Sequence, residues 1–429
     1  MSMDGNMRQS EAPNAPVAII GFGAAGFNAA VALRHSGYCG EIEIFSDIST
    51  LPYSPILTSY YAGGMKEYED CFPWCQEDVD AIGATIHYDA PVERLDVDGH
   101  KVITSKGEHA YSKCIIATGA SPSTAGFPHD CGYEPLVLHS MDDAERLKEA
   151  ICDESCRRVL VSGASMVALK TVEACLARGK EVTLVGMNPH VLDYNALPAA
   201  AERFERGLEA KGVSLRLGQT ISGVEVESDP DRGGRRTLNV SFTDGTSDSF
   251  DEIAVAHGMK GNMSFVEPGS LDVEAGLLVD EFMRTSNPDV YAAGDVAQAI
   301  DLISDTPRIV GIWKNAALQG ACAGRAVAAE LAGMEPDEKD AFKGSISTNT
   351  IAVDGTLFIS AGSVDPKLDG RIDVIEGDEM TVVHVFRRDD GGKLKLVGFN
   401  ITSDVDEKGG VAYDTGAMLT MRIMEGLRA

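Results

Sequence analysis

An α/β fold, with two three-layer domains built from βαβ units and a C-terminal α+β domain, is predicted by three observations. Residues 16–34 (PVAIIGFGAAGFNAAVALR) read as a buried strand, a glycine turn and a helix. Residues 158–186 repeat the strand–turn–helix–strand order with weaker spacing. Residues 346–400 carry five strand-like runs, and residues 411–427 close the chain with a helical pattern.

The first stretch is the most informative. Val17 to Ile20 form a short apolar run, and Gly21, Gly23 and Gly26 fit G-x-G-x-x-G ahead of a helix from Ala24 to Arg34. Each glycine has a separate reason: a tight turn at Gly21, backbone approach to a pyrophosphate at Gly23, and close helix–strand packing at Gly26. A pyrophosphate would rest on the free N–H groups of the helix N-terminus, where the macrodipole favours negative charge. A second strand (Glu41 to Phe45) ends at an acid, Asp47, placed to bond a ribose. This context turns a weak motif into a dinucleotide site of the Rossmann-like kind.

The remaining elements follow in order. Residues 51–64 (LPYSPILTSYYAGG) read as loop, then short helix. Residues 85–88, 92–97, 101–105 and 113–118 read as strands, the last running into Gly119. Residues 140–151 form a helix with Ser140 as cap and Asp142 and Asp143 in its first turn. The second unit places Gly163, Ser165 and Ala168 at the three positions that Gly21, Gly23 and Gly26 occupy in the first. A helix at 197–212, strands at 214–218 and 237–243, and a polar hairpin tip at 227–236 come next. An apolar run at 252–257 ends at Gly258, and 279–295 reads as a short strand, a turn at Ser286–Pro288 and another strand running into Gly294-Asp295. A helix over 311–332 carries small residues on one face, which suits close packing.

Composition narrows the function classes. The chain has 429 residues, 44% hydrophobic and 24% charged, with formal charge −29. That length suggests about three domains. The acidity argues against nucleic acid and against an anionic membrane surface as partners. It fits a basic protein partner, or solubility alone. No apolar window reaches the length of a membrane span, and residues 1–14 lack the apolar region of a signal peptide and read as a tail. A cytoplasmic location is expected, with its cysteines reduced. Cys71 and Cys75, and Cys152 and Cys156, are spaced C-x-x-x-C, but neither pair has a local second half. No metal site is expected, and Cys71 and Cys75 are expected in a helix as idle thiols.

Taken together, the motifs resemble the two-dinucleotide-binding-domain flavoproteins, the FAD- and NAD(P)-dependent reductases that include rubredoxin reductases, NADH oxidases and coenzyme A disulfide reductases. The match rests on four motifs in the family's order: the glycines at 21, 23 and 26; Ala117-Thr118-Gly119; the Gly163 turn; and the 285–295 stretch ending Gly294-Asp295. The resemblance implies that FAD is held by Gly21, Gly23, Ala24, Ala25, Gly26, Asp47, Val92, Thr118, Gly119, Gly294, Asp295, Trp313 and Ala316. Asp295 would accept from a ribityl hydroxyl, and the helix beginning at Trp313 would face the flavin pyrimidine. Trp313 itself also reads as a core or interface aromatic, and Val92 as a plain strand valine. Gly163, Ser165 and Met166 would hold NAD(P)H. The implied domains are a tail at 1–14, an FAD-binding domain over 15–122 and 246–345, an NAD(P)-binding-like domain over 123–245, and a C-terminal domain over 346–429 that forms a homodimer interface or docks a partner.

Two departures from the family sharpen the expectation. Thiol-active members carry a cysteine in a pattern like S-P-C-G-x-P-Y-Y-x-G-G; residues 54–64 (SPILTSYYAGG) keep its frame, but Ile56 stands at the cysteine. An aliphatic chain forms neither a mixed disulfide nor a sulfenate. In the second unit, Ser165 replaces the middle glycine, Lys170 a glutamate near the nicotinamide, and Gly186 the ribose-reading acid. No arginine follows Gly186 to read a 2′-phosphate, so NADH is preferred over NADPH. The expected function is an FAD-dependent oxidoreductase passing electrons between NAD(P)H and a rubredoxin, a ferredoxin or an iron–sulfur subunit of a larger complex, without a catalytic cysteine. Two alternatives stay open: direct reduction of a small molecule or oxygen, and an FAD-bearing structural or regulatory subunit.

Overall fold

The structure is a computed structural model describing residues 15–229, 235–365, 370–389, 391–404 and 410–428. The tail expected at 1–14 and the centre of the 227–236 hairpin tip lie outside the described residues. The chain forms two compact units. One holds the residues up to Ser54, Phe72–Ala120 and Gly261–Ser345; the other holds Pro55–Cys71, Ser121–Lys260 and the chain from Ile346 onward.

In the first unit a five-stranded parallel sheet runs in the order Val290–Ala292, Lys113–Ile116, Val17–Ile20, Ile42–Phe45, Thr85–His87. Its central strands are apolar on both faces because both are covered, as parallel sheets require. On one face the helices Ala24–His35 and Trp313–Leu331 pack with Ile19, Ile42, Ile44 and Ile115. Gly320 and Gly324 let the two helices touch, since a Cβ at either would enter the Ala25 or Ala29 carbonyl. On the other face an antiparallel meander (Val92–Asp96, Lys101–Thr104, Gly107–Ala110) encloses Ala18, Ile20, Phe45, Leu95, Val102 and Tyr111.

The second unit repeats the theme with a four-stranded parallel sheet in the order Ser214–Leu217, Glu181–Gly186, Arg158–Ser162, Glu252–Val255. A three-stranded meander (Ile221–Asp229, Arg235–Phe242, Ser247–Phe250) accompanies it. The C-terminal segment forms a five-stranded antiparallel sheet with helix Gly410–Arg428. Helix Pro198–Ala210 packs on that sheet through polar and aromatic contacts. Asn400 accepts from the Leu197 N–H and donates to the Asn195 carbonyl, each at 2.8 Å, and Thr402 donates to the Ala200 carbonyl at 2.9 Å. The rings of Phe204 and Phe358 meet edge to face.

The main helices fall where expected: Ala24–His35, Met141–Cys152, Pro198–Ala210, Trp313–Leu331 and Gly410–Arg428. Ser140 and Asp143 form a reciprocal capping box. Several local readings are corrected. Cys71 ends a short 3-10 turn and Cys75 caps a separate helix, Gln76–Asp80; Pro73 between them accounts for the break. Gly107–Ala110 and Ile221–Asp229 are strands, although their polar composition conceals it. Of the two strands read in 279–295, the first is instead the two-residue pair Leu277–Leu278 just ahead of it, and the second is Val290–Ala292. Among the described residues no helix is long and apolar enough to cross a membrane.

Candidate functional site

The first glycine turn is shaped by what its backbone must avoid. Gly21 has φ +102°, and a Cβ there would enter the Ala117 carbonyl; a Cβ at Gly26 would enter the Gly21 carbonyl. Gly23 differs, because a Cβ there meets nothing within 4 Å. It leaves open space in front of helix Ala24–His35. That helix has no side-chain cap and no acid in its first turn. Its first N–H groups therefore have neither an intrahelical partner nor a competing anion.

The other predicted residues of this unit converge on the same turn. Gly294, at φ +84°, lies where an added Cβ would come within 3.2 Å of Ala25 and 3.5 Å of Ala316. Ala117 abuts Gly21, and the next two residues are fastened from the far side of the chain. Thr118 Oγ1 donates to the Asn262 carbonyl at 2.5 Å, and Asn262 returns bonds to the Thr118 and Gly119 carbonyls. Gln319 Oε1 accepts from the Gly294 N–H at 2.8 Å, which fixes the Gly294-Asp295 turn on the Trp313–Leu331 helix.

Asp295 leaves an acceptor in this cradle that a polar partner could use. Its carboxyl is half-buried, takes no hydrogen bond from any described residue, and is pushed up to about 6 by burial. A buried carboxyl without a donor is costly unless a ligand supplies one. Asn315 adds a second orphan: its Nδ2 donates to the Val310 carbonyl while its buried Oδ1 has no partner. Both stand at the start of helix Trp313–Leu331, which has no acid in its first turn. Trp313 is half-buried and stacks on Trp74 at 5.5 Å, and Trp74 stacks on Phe27 at 3.9 Å. Open space at Gly23, two uncapped helix N-termini and the orphaned Asp295 suit a dinucleotide with a hydroxylated linker, as FAD is. Asp47 lies exposed just past the Ile42–Phe45 strand, without a hydrogen bond among the described residues, and Val92 begins the meander half-buried. No hydrogen bond ties either of them to the glycine turn.

The second turn is built on the same plan with different consequences. Gly163 has φ +123°, and a Cβ there would enter the Ala256 carbonyl. Ser165 is the N-cap of helix Met166–Ala177, with Oγ accepting from the Ala168 N–H at 3.4 Å. The hydroxyl thus serves its own helix. A Cβ at Gly186 would already be 2.9 Å from Ala164 Cβ and 3.3 Å from Leu217, so an acid has no room there. Beyond Leu217 a cavity of about 320 Å³ is lined by Glu202, Glu205, Arg206, Glu209, Leu215 and Leu217. Three carboxylates to one guanidinium make it a poor place for a 2′-phosphate. Lys170 pairs with Glu173 and lies 3.8 Å from the Tyr60 ring centroid. Burial raises the Glu173 carboxyl against the pull of Lys170. Ile56 is 58% exposed.

Asn262, Gln319 and Trp74 escaped the sequence reading of the site, whereas Asn315, beside Trp313 and Ala316, belongs to the helix start that the family resemblance turns toward the flavin. Gln319 and Asn315 share a helix face with Ala316, so a polar pair on a small-residue stripe was the available signal. Asn262 and Trp74 act across long sequence separations and left none.

A family model described as pyridine nucleotide-disulphide oxidoreductase matches residues 15–320. The rubredoxin-NAD(+) reductase of Ectopseudomonas oleovorans is 31% identical over 288 residues, 66% of this chain and 72% of that protein. The NADH-dependent phenylglyoxylate dehydrogenase subunit epsilon of Aromatoleum evansii is 28% identical over 364 residues, 85% of this chain and 82% of that protein. A solved covalent putidaredoxin reductase–putidaredoxin complex shares the fold, with a TM-score of 0.78 and 22% identity over 95% of this chain and 91% of that one.

Proposed function

The chain belongs to the pyridine nucleotide-disulphide oxidoreductase family, and from that membership we propose that it is an FAD-dependent enzyme passing electrons between NADH and an iron–sulfur or rubredoxin-type carrier protein. The observation that carries this reading is the pairing of an FAD-type cradle with Ile56, exposed at the position of the thiol-active members' cysteine. FAD supplies the chemistry that links a two-electron nicotinamide to a one-electron carrier. The residues around it bind and orient. Gly23 and the first turn of helix Ala24–His35 would take the pyrophosphate, and Asp295 would accept from the ribityl chain. Thr118 and Gly119, held by Asn262, would close over the cofactor, and the first turn of helix Trp313–Leu331 would face the flavin ring. Asp47 and Val92 are proposed for the adenosine end.

NADH is favoured over NADPH by the lack of an arginine after Gly186. Gly163, Ser165 and Met166 are the proposed contacts. No disulfide joins the nine cysteines, all of them among the described residues, and a reducing cytosolic setting is part of this reading. The test is steady-state NADH oxidation with and without a rubredoxin and a [2Fe–2S] ferredoxin. Acceleration by one of them is expected. Rapid NADH oxidation that no carrier speeds up would instead support direct reduction of a small molecule or oxygen.

A second reading is favoured by the phenylglyoxylate dehydrogenase subunit, which matches this chain over more of its length than the rubredoxin reductase does. In that reading the carrier is a fixed iron–sulfur subunit of a larger complex. Co-purification of stoichiometric iron–sulfur subunits with the native protein distinguishes the two. Bound flavin that neither NADH nor NADPH bleaches would mark the chain as a non-catalytic subunit.

A further inference from the structure

Away from the cradle, in the layer between the parallel sheet and its meander, three side chains meet that the redox reading does not use. Glu43 sits in strand Ile42–Phe45 and shares a face with Phe45, a member of the apolar cluster beneath the meander. Its carboxylate is only about one-fifth exposed, at 22%. Among the described residues no lysine or arginine pairs with it. Its partners are two imidazoles: His87 Nε2 lies 3.2 Å and His109 Nδ1 2.9 Å from the same oxygen, Oε2. The three donor atoms all lie within 4.8 Å of one another.

From this arrangement we propose that Glu43, His87 and His109 form a binding site for one divalent metal ion of the zinc class. Two imidazole nitrogens and one carboxylate oxygen make a donor set that zinc favours, and three protein ligands leave a fourth position for water. Tetrahedral bonds of about 2.0–2.2 Å place neighbouring donors roughly 3.3 Å apart, close to the separations around Glu43. The donors are also held before any ion arrives. They project from three strands, Ile42–Phe45, Thr85–His87 and Gly107–Ala110, rather than from loops. Phe45 stacks on His87 with centroids 4.8 Å apart and planes 10° from parallel, and meets His109 edge-on at 4.9 Å. The two imidazoles meet each other edge-on at 4.8 Å. No compact motif announces the site, because His87 and His109 lie 44 and 66 residues from Glu43 in the chain. A bound ion ties the parallel sheet to the meander within one unit, so its effect is expected on stability and is separate from the carrier chemistry.

The test uses the flavin-loaded full-length protein, stripped of metal with chelator and titrated with zinc chloride by calorimetry, with metal content counted after gel filtration. One equivalent is expected in the wild type, weakened about tenfold or more in His109→Ala and in Glu43→Gln. Zinc should raise the melting temperature of the wild type by roughly 2–4 °C, and should not raise that of the variants. Failure of the wild type to retain zinc, or equal retention by the variants, overturns the proposal. Should the variants fail to fold, X-ray absorption at the zinc edge on the wild type decides alone: nitrogen and oxygen neighbours with imidazole scattering are expected, and a sulfur shell would move the ion to the cysteines and overturn the assignment.

Discussion

The turns at Gly21–Gly26 and Gly163–Ala168 share a topology and differ in who uses the helix N-terminus. In the first, Gly23 has no side chain, no residue caps the helix, and the space in front is open. In the second, Ser165 caps its own helix, and Gly186 has neighbours where an acid would need room. A Rossmann-type turn thus specifies a place where a phosphate can sit. The atoms at its second position, and at the end of the next strand, decide how strongly that place is offered. One copy leaves its helix N-terminus uncapped and the space before it open, and the other satisfies part of its own backbone.

The comparison breaks most severely at the third position. Gly26→Ala drives a methyl into the Gly21 carbonyl, which is backbone and has nowhere to go. A loss of about 3 kcal/mol or more is expected, seen as insoluble protein or a large fall in melting temperature. The second turn already carries alanine there, Ala168, fully buried. Ala168→Gly should leave the fold intact. A well-folded, flavin-bound Gly26→Ala protein would falsify the account of that turn.

Next in size is the pH dependence carried by Asp295. Burial lifts its carboxyl from 3.8 to about 6 in the flavin-free protein. The folded state then holds a proton that the unfolded state has released, so the penalty for ionising it grows as pH rises from about 4 to 6. That difference corresponds to about 3 kcal/mol. Flavin-stripped wild type should lose stability between pH 4 and pH 6 relative to Asp295→Asn, measured by thermal melts of both. Parallel curves for the two proteins would remove Asp295 from the account. In the flavin-loaded protein the gap should close, because a ribityl donor favours the carboxylate.

Much of this was legible in the sequence, for definable reasons. The Val17–Ile20 strand, its glycine turn and its helix carry local signals: apolar run, spacing and helix composition. Ser140 and Asp143 announce their capping box within four residues. Gly107–Ala110 hid because a meander strand with one solvated face is polar along most of its length. Ile221–Asp229 hid for the same reason. The site's fastenings are the other blind spot. Asn262 to Thr118 spans 144 residues, and Gln319 to Gly294 spans 25. Such pairs are set by the tertiary fold and leave no periodic trace. A serine at the second position of the Gly163 turn can in principle bond a pyrophosphate or crowd it, and the coordinates add a third role for Ser165: it caps its own helix.

A smaller effect is expected at Gly23. Its φ of −88° suits any residue, and a Cβ there meets no protein atom, so Gly23→Ala should fold normally. The methyl would stand in the space proposed for the pyrophosphate. Crowding of about 1–3 kcal/mol weakens FAD roughly 5- to 150-fold. The protein should purify pale yellow or colourless, with an unchanged circular dichroism spectrum. Full flavin occupancy in this variant would place the cofactor elsewhere.

The smallest effect is the most telling about the second turn. Ser165→Gly makes it resemble the first. Glycine at an N-cap costs only a few tenths of a kcal/mol relative to serine, and the 3.4 Å cap bond is long to begin with. The change frees the Ala168 N–H and clears the approach to the helix N-terminus. If self-capping limits the nucleotide, KM for NADH should fall about two- to fivefold, the range that a helix-terminus interaction of 0.3–1 kcal/mol supports, while kcat with a saturating carrier stays put. If instead the serine hydroxyl bonds the pyrophosphate directly, KM should rise, and Ser165→Thr should restore it. The sign of that one KM shift separates a site that competes with its own helix from one that has been rebuilt around a hydroxyl.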